Sequence, residues 1–414
     1  METRGDDGAD RQNRLDSHNE ISPFSKQTSS LGPSQGANKK QSKEEQMMEF
    51  VLPAYHAPDF TQPALAGAPD VKVERAQMDG VAPEGYHSTS MYPEYFKLNG
   101  QWRLAEESRM DCSVLLRSDG RLDVVEMRNI KKGNLVLLGR TEQGEEGIYV
   151  HDSGFVQETG KKDVFAFRTG RSRETAYSRD YDELYPLLQH EREHGNIVWV
   201  MGPACAFDSD SRTAMQRLIE NGFVSGLLAG NALATHDLEA GYLKTALGQN
   251  IYTQQPHYNG HYNHLDTINE VRKCGSIPRF IEEKQISDGI IYACAKKGVP
   301  FVLTSSIRDD GPLPEVYADS YEGQSAMRAL VRHATTVICL ATQLHTIATG
   351  NMTPSFRVVN GAIRPVYLYV VDISEFVVNK LKDRGSLSSV GMITNVQDFV
   401  VNVARGVGVY HSDH

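Results

Sequence analysis

From Ile197 onward the chain alternates short, almost wholly apolar runs with longer stretches of helical pattern. The apolar runs are Ile197–Met201, Val224–Ala229, Phe301–Thr304, Thr336–Leu340, Val366–Val371 and Val390–Ile393. Runs of this length without polar alternation suit strands covered on both faces. Between them the pattern predicts helices over Ser211–Glu220, His236–Leu247, Leu265–Lys273, Asp288–Lys297, Gln324–His333 and Glu375–Asp383. Gly222, Gly298 and Gly385 follow three of these, where a left-handed helix cap is expected. Strand–helix alternation predicts an α/β fold over residues 181–405, a parallel sheet with helices on both faces.

Residues 77–180 read as a smaller β-rich subdomain. Cys112–Arg117 and Arg121–Met127 are β-prone runs separated by Ser-Asp-Gly, a turn-forming tripeptide, and Asn134–Leu138 and Gly147–Val150 add two more. Ahead of them, residues 46–76 carry apolar clusters broken by Pro53, Pro58, Pro63 and Pro69, and are expected to form a linker or arm. Residues 1–45 are polar with hardly any large apolar group, so they are expected to be disordered. Residues 406–414 are expected to form a C-terminal tail.

Composition narrows the function classes. A chain of 414 residues with 40% hydrophobic and 23% charged positions can build a sizeable core. Its formal charge of −10 argues against a nucleic-acid partner, which needs clustered cations. No apolar run approaches the ~18 residues of a spanning helix, and the N-terminus lacks a secretory pattern, so no membrane partner is expected. Cys112, Cys205, Cys274, Cys294 and Cys339 are odd in number and widely spaced, which predicts free thiols in a reducing compartment, the cytoplasm. His257, His261 and His264 fall at metal-like spacing in HYNGHYNH, but Asn259-Gly260 breaks a helix there and no acid or cysteine joins them. No metal is expected.

In an open parallel sheet, ligands gather beyond the carboxyl ends of the strands. The residues following each apolar run are therefore the informative ones. They are Gly202-Pro203-Ala204, then Gly230-Asn231-Ala232 running on to His236-Asp237, then Ser305 to Arg308-Asp309-Asp310-Gly311. Ala341-Thr342-Gln343-Leu344-His345, Asp372-Ile373-Ser374 and Thr394-Asn395 complete the set. Ordinary turns use the same residue types, but their accumulation at one rim points to a pocket. Asp372 ends a strand where a dinucleotide fold holds ribose hydroxyls, although it or Ser374 would equally cap the following helix. No GxGxxG or GxxxxGK[ST] string is present. A pyrophosphate would therefore rest on the amides of Gly202 and Ala204, or on those of the Ala341–Gln343 turn. Arg308 suits a carboxylate clamp, and Asp309 or Asp310 a base or ammonium partner, unless the three form a solvated turn with an internal ion pair. His236 and Asp237 form a second candidate acid–base pair.

Longer strings carry a resemblance. Gly202-Pro-Ala, Ala229 to Asp237 (AGNALATHD), Asn263-His264, Ser306 to Pro314 (SIRDDGPLP), Leu344 to Asn351 (LHTIATGN) and Lys382 to Gly385 (KDRG) are similar to those of the archaeal-type ornithine cyclodeaminases. This family carries the LOR/SDH bifunctional enzyme conserved region and also forms the C-terminal half of arginine dihydrolase/ornithine cyclodeaminase proteins. Upstream, Pro83 to Thr89 (PEGYHST) and Asn99 to Trp102 (NGQW) resemble the family's first subdomain, so the likeness covers about residues 77–405. A fainter likeness joins residues 291–315 and 335–353 to deoxyhypusine synthase, although Gln343-Leu-His345-Thr stands where that enzyme has its lysine motif. The resemblance implies an atypical Rossmann-type fold of the deoxyhypusine-synthase kind and NAD as cofactor. The implied reaction converts L-ornithine to L-proline and ammonia with a borrowed and returned hydride. It also implies a small amino-acid substrate and a homo-oligomer. Cofactor contacts would fall on Gly202, Pro203, Ala204, Asn231, Ala232, Ala341, Thr342, Gln343, Leu344, Asp372, Ile373, Thr394 and Asn395, and substrate contacts on Asn263, His264 and Ser305. The alternatives are an amino-acid or saccharopine-type dehydrogenase that releases NADH and a non-catalytic NAD-binding sensor.

Overall fold

The apolar runs become neighbouring strands of one sheet. The computed structural model describes residues 50–155, 178–307, 309, 311–382 and 387–411; the expected tail 1–45 lies outside them. The strands are β1 (Ile197–Met201), β2 (Gly226–Gly230), β3 (Phe301–Thr304), β4 (Val316–Tyr317), β5 (Thr336–Leu340), β6 (Tyr367–Asp372) and β7 (Ser388–Ile393). They lie in the order β4-β3-β2-β1-β5-β6-β7, and every pairing is parallel.

Among the described residues ten helices accompany them: α1 (Ser178–His194), α2 (Ser209–Glu220), α3 (Asn231–Leu243), α4 (Asn263–Cys274), α5 (Ile277–Glu283), α6 (Ile290–Lys297), α7 (Ser320–Val331), α8 (Gln343–Met352), α9 (Glu375–Lys382) and α10 (Val396–Gly406). Successive strand residues serve opposite faces. Ile197, Trp199 and Met201 join Ile338, Leu340, Tyr369 and Val371 in a core with residues of α2, α3, α6 and α10. Val198, Val200, Val337, Cys339, Leu368 and Val370 join Met327, Val331, Met352 and Val378 on the other face. This two-sided burial is why the strands read as continuous apolar runs.

The β-rich region holds a four-stranded antiparallel sheet, in the order Lys72–Arg75, Leu135–Leu138, Ser113–Leu116, Leu122–Val125. A three-stranded sheet of Gln101–Leu104, Glu94–Leu98 and Ile148–Val150 stands beside it. Lys72–Arg75 is thus sheet, ahead of residue 77 where the region was expected to begin; the four prolines that mark the arm all precede it. Likewise Val409 and Tyr410, in the expected C-terminal tail, pack against the main core. The β-rich region is fastened to the α/β region by a short strand, Glu107–Ser108, which pairs with Phe356–Val359. Arg109 adds to this join by donating to the carbonyl of Asn351 at 2.5 Å. Among the described residues no helix is long and apolar enough to cross a membrane.

Candidate active site

The strand order reverses between β1 and β5, whose connections leave for opposite halves of the sheet, and such a switch point opens a crevice at the carboxyl rim. The backbones pass very close there. The Gly202 amide donates to the Leu340 carbonyl at 2.8 Å, and a β-carbon on Gly202 would stand 2.1 Å from the carbonyl oxygen of Ala341. Ala341 turns out of β5 with φ of 46°, a left-handed conformation unfavourable for any residue with a side chain, while its amide still bonds to Val371 at 3.1 Å. Asn395 caps α10 through the amides of Gln397 and Asp398, and Gln397 Nε2 donates to the Ala204 carbonyl at 3.1 Å. The Gly202–Ala204 turn and the start of α10 therefore share one corner of the rim.

Helix starts around this rim divide into two kinds. Asp208 caps α2, Asp319 caps α7 and Asn395 caps α10, each through its side chain, and the first amides of α6 donate to Asp237 at 3.0 and 2.7 Å. By contrast α3, which follows Gly230, and α8, which follows Thr342, have no side-chain cap. These two helices follow the strands on either side of β1, so their unspent amides border the crevice and suit an anion. His345, in the first turn of α8, joins them. Its Nε2 shares a 2.8 Å hydrogen bond with Thr304 Oγ1 at the end of β3, and a β-carbon on Gly230 would stand 3.0 Å from the ring. Burial lowers the His345 pKa below its usual value, opposed by the nearby Asp309 carboxylate.

Asp309 folds back on its own turn, accepting from the Ser306 amide at 2.8 Å; Arg308 and Asp310 lie outside the described residues. Two predicted ligand contacts also hold protein together. Asn231 Oδ1 accepts from the Leu313 amide at 3.0 Å, and Ser305 Oγ donates to the Ala318 carbonyl at 3.2 Å. Asp372 does end β6, and one of its oxygens accepts from the Ser374 amide at 2.9 Å. The side chains of Leu344 and Ile373 are largely exposed there, 70% and 64%.

The pairing expected of His236 with Asp237 is not formed. Consecutive helix residues point about 100° apart. Asp237 turns inward to Arg212 Nε at 2.7 Å and to the start of α6, whereas His236 Nδ1 bonds to Glu239 Oε2 at 2.9 Å, one turn along the same face. Glu239 also accepts from Thr245 Oγ1 at 2.8 Å, which accepts in turn from Asn263 Nδ2 at 2.7 Å. The His264 ring lies 6.1 Å from that of His236. His236, Asn263 and His264 thus belong to one cluster, built around a glutamate that the sequence reading passed over. An acid three residues after a histidine on one helix was the available signal.

All five cysteines are free and buried, and burial pushes the Cys205 thiol up to about 12, which suits packing rather than nucleophilic attack. Among the described residues no three His, Cys, Asp or Glu side chains are grouped to hold a metal. A cavity of about 910 Å³, lined among others by Leu52, Met91, His151, Tyr367 and Ser388, lies at the opposite end of the sheet. It borders the beginnings of β6 and β7, and the strand-end argument favours the carboxyl rim as the site of chemistry.

Family models place the chain. Residues 185–403 match the Rossmann-fold portion of the arginine dihydrolase ArgZ-like C-terminal region, and residues 93–175 match the first part of that region. The ornithine cyclodeaminase of Methanopyrus kandleri is 35% identical over 338 residues, 81% of this chain and 78% of that protein. A crystal structure of a conserved LOR/SDH protein from Methanococcus maripaludis superposes with a TM-score of 0.74 at 33% identity, covering 82% of this chain and 98% of the other. AgrE, a bifunctional arginine dihydrolase/ornithine cyclodeaminase of Nostoc sp., has been solved as a ternary complex with ornithine and NAD+. That structure matches 82% of this chain and 46% of its own, with a TM-score of 0.51 and 31% identity.

Proposed function

The chain belongs to the ornithine cyclodeaminase family, and we propose that it converts L-ornithine, or a closely related diamino acid, to L-proline and ammonia with bound NAD+. The observation that carries this reading is the pair of uncapped helix starts, α3 and α8, on either side of β1 at the switch point. They suit a pyrophosphate without a GxGxxG loop, since the required close approach is supplied by Gly202 and the turn at Ala341. Asp372 ends β6, the strand next to β5, and so stands to α8 as the ribose-binding acid stands to the phosphate-binding helix of a dinucleotide fold. The oxygen of Asp372 not held by Ser374 suits the ribose hydroxyls, and Ile373 an adenine face. Pro203, Ala204, Asn231, Ala232, Thr342, Gln343, Leu344, Thr394 and Asn395 border the same rim as cofactor contacts.

When bound, NAD+ supplies the acceptor and donor for the hydride of the substrate's α-carbon. The chain's own work is to orient the amino acid, handle protons and exclude water. Arg308 would clamp the carboxylate, Asp309 or Asp310 would pair with an ammonium group, and Ser305, Asn263 and His264 would complete the substrate wall. His345, whose pKa burial lowers, suits a hydrogen bond to cofactor or substrate.

The test follows ammonia, proline and NADH separately during turnover of α-deuterated ornithine. We expect proline and ammonia to accumulate together at catalytic NAD+, with NADH absorbance flat and deuterium returned to carbon. NADH rising in step with substrate consumed would replace the cyclase by a dehydrogenase. A melting temperature unmoved by millimolar NAD+ would remove the cofactor assignment.

A further inference from the structure

Glu239 is fully buried, and among the described residues its one partner within ion-pair distance is His236. A carboxylate taken out of water is costly unless its oxygens are satisfied. Here they accept from His236 Nδ1, Thr245 Oγ1 and, at 3.3 Å, the Gly248 amide. Each of these is a donor toward the carboxylate, which fixes the proton of the His236 ring on Nδ1 and leaves the lone pair on Nε2. That Nε2 has no hydrogen-bond partner among the described residues. The groups facing the ring are His264 from α4, the steeply inclined ring of Phe207 and Glu239 itself. A buried acid that orients a histidine whose second nitrogen is unengaged is the arrangement of a general base.

We infer that His236 is the proton carrier of the reaction and that Glu239 is its positioning residue, selecting an amino acid that bears a second, terminal amine. The inference rests on the cyclodeaminase reading. An N–H bond of the terminal ammonium breaks and its proton forms a bond to Nε2, so that the freed amine lone pair can attack the oxidised α-carbon. Nε2 then passes that proton to the α-nitrogen and takes one from the newly cyclised nitrogen, whose lone pair expels ammonia as the bond from carbon to the α-nitrogen breaks. Once the hydride has come back, Nε2 returns this second proton to the proline nitrogen. Ornithine with an uncharged α-amine thus gives proline, ammonia and a neutral histidine. The Glu239 carboxylate balances the charge held by the imidazole between each uptake and release. Proton number is conserved, and the only oxidant and reductant is the nicotinamide cofactor already proposed.

The experiment compares wild type, His236→Asn, Glu239→Gln and the double variant in the full chain with NAD+ and ornithine. The first should lose about 10²-fold in kcat, the usual scale for an acid–base group, and the second about tenfold, the scale of one charge-assisted hydrogen bond. The double variant should be no slower than His236→Asn alone, because residues acting as a unit are not additive. KM for ornithine and the melting shift caused by NAD+ should stay within twofold of wild type. Losses that multiply in the double variant, or a loss carried by KM, would assign Glu239 to packing and overturn the inference. If Glu239→Gln does not fold, Thr245→Val takes its place: a loss of about threefold in kcat supports the inference, and full activity overturns it. Wild type inert toward every diamino acid would sink the cyclodeaminase reading and the inference with it. Active wild type with unimpaired His236→Asn would sink the inference alone.

Discussion

Gly202 and Ala341 touch backbone to backbone at the centre of the sheet, with 2.1 Å available where a β-carbon on Gly202 would stand. The atom in the way is a carbonyl oxygen of a residue whose amide is already tied to β6, so neither side yields cheaply. Gly202→Ala is expected to cost about 1–3 kcal/mol of stability, the range for overpacking a tight site. Because the clash falls in the crevice, NAD+ affinity should drop as well. Urea unfolding and an NAD+ titration on the same variant measure both effects.

Asp237 serves the fold. It pairs with Arg212, whose side chain is 5% exposed, and receives two amides of α6. Removing one member of a buried pair is costly, so Asp237→Asn should lose about 3 kcal/mol. The fraction that folds should keep near-wild-type kcat. A stable variant with kcat lost would return Asp237 to the chemistry.

His345 and His333 both have pKa values lowered first by burial. The unfolded chain therefore binds protons that the folded chain refuses between the ordinary value of 6.5 and the lowered ones. Stability from these groups is complete above pH 6.5 and falls as the pH drops through that window. Melting temperatures from pH 5 to 8 should show this slope, and His345→Gln should flatten part of it. An unchanged slope would mean that His345 is not held neutral.

Arg109 joins two regions through one guanidinium. Nη1 donates to Asn351 at the end of α8, while Nη2 lies 2.5 Å from Glu126 Oε1, as a charge contact rather than an aligned hydrogen bond. Burial pushes the Glu126 carboxyl up, and Arg328 and Arg109 more than offset it, holding it below 4.5. Arg109→Met should cost about 1–3 kcal/mol by taking away one of the two cations beside that carboxylate. It should also loosen α8, seen as faster amide exchange near Asn351.

Much of the sheet was legible because both its faces are covered. Ile197–Met201, Phe301–Thr304 and Thr336–Leu340 are strands over the predicted residues. The two-residue β4 was not, since Val316–Tyr317 at the sheet edge makes no pattern long enough to count. Helix α3 begins at Asn231, five residues before the predicted start, because Gly230 carries no capping side chain to announce it. The site was half legible for the same reason. Strand ends can be read from composition, but the partners of Asp237 and Asn231 come from helices and loops distant in the chain.

The missing caps of α3 and α8 also mean that part of the folding free energy is deferred to the moment of binding. A first turn whose amides lack partners frays and exchanges its hydrogens with solvent quickly. An anion seated on those amides closes both turns at once, and every helix residue behind them gains order without touching the ligand. In deuterium exchange, NAD+ should therefore print its shape as slowed amides at Asn231–Leu233 and Gln343–His345. Helix starts already closed by Asp208 and Asp319 should stay as they were.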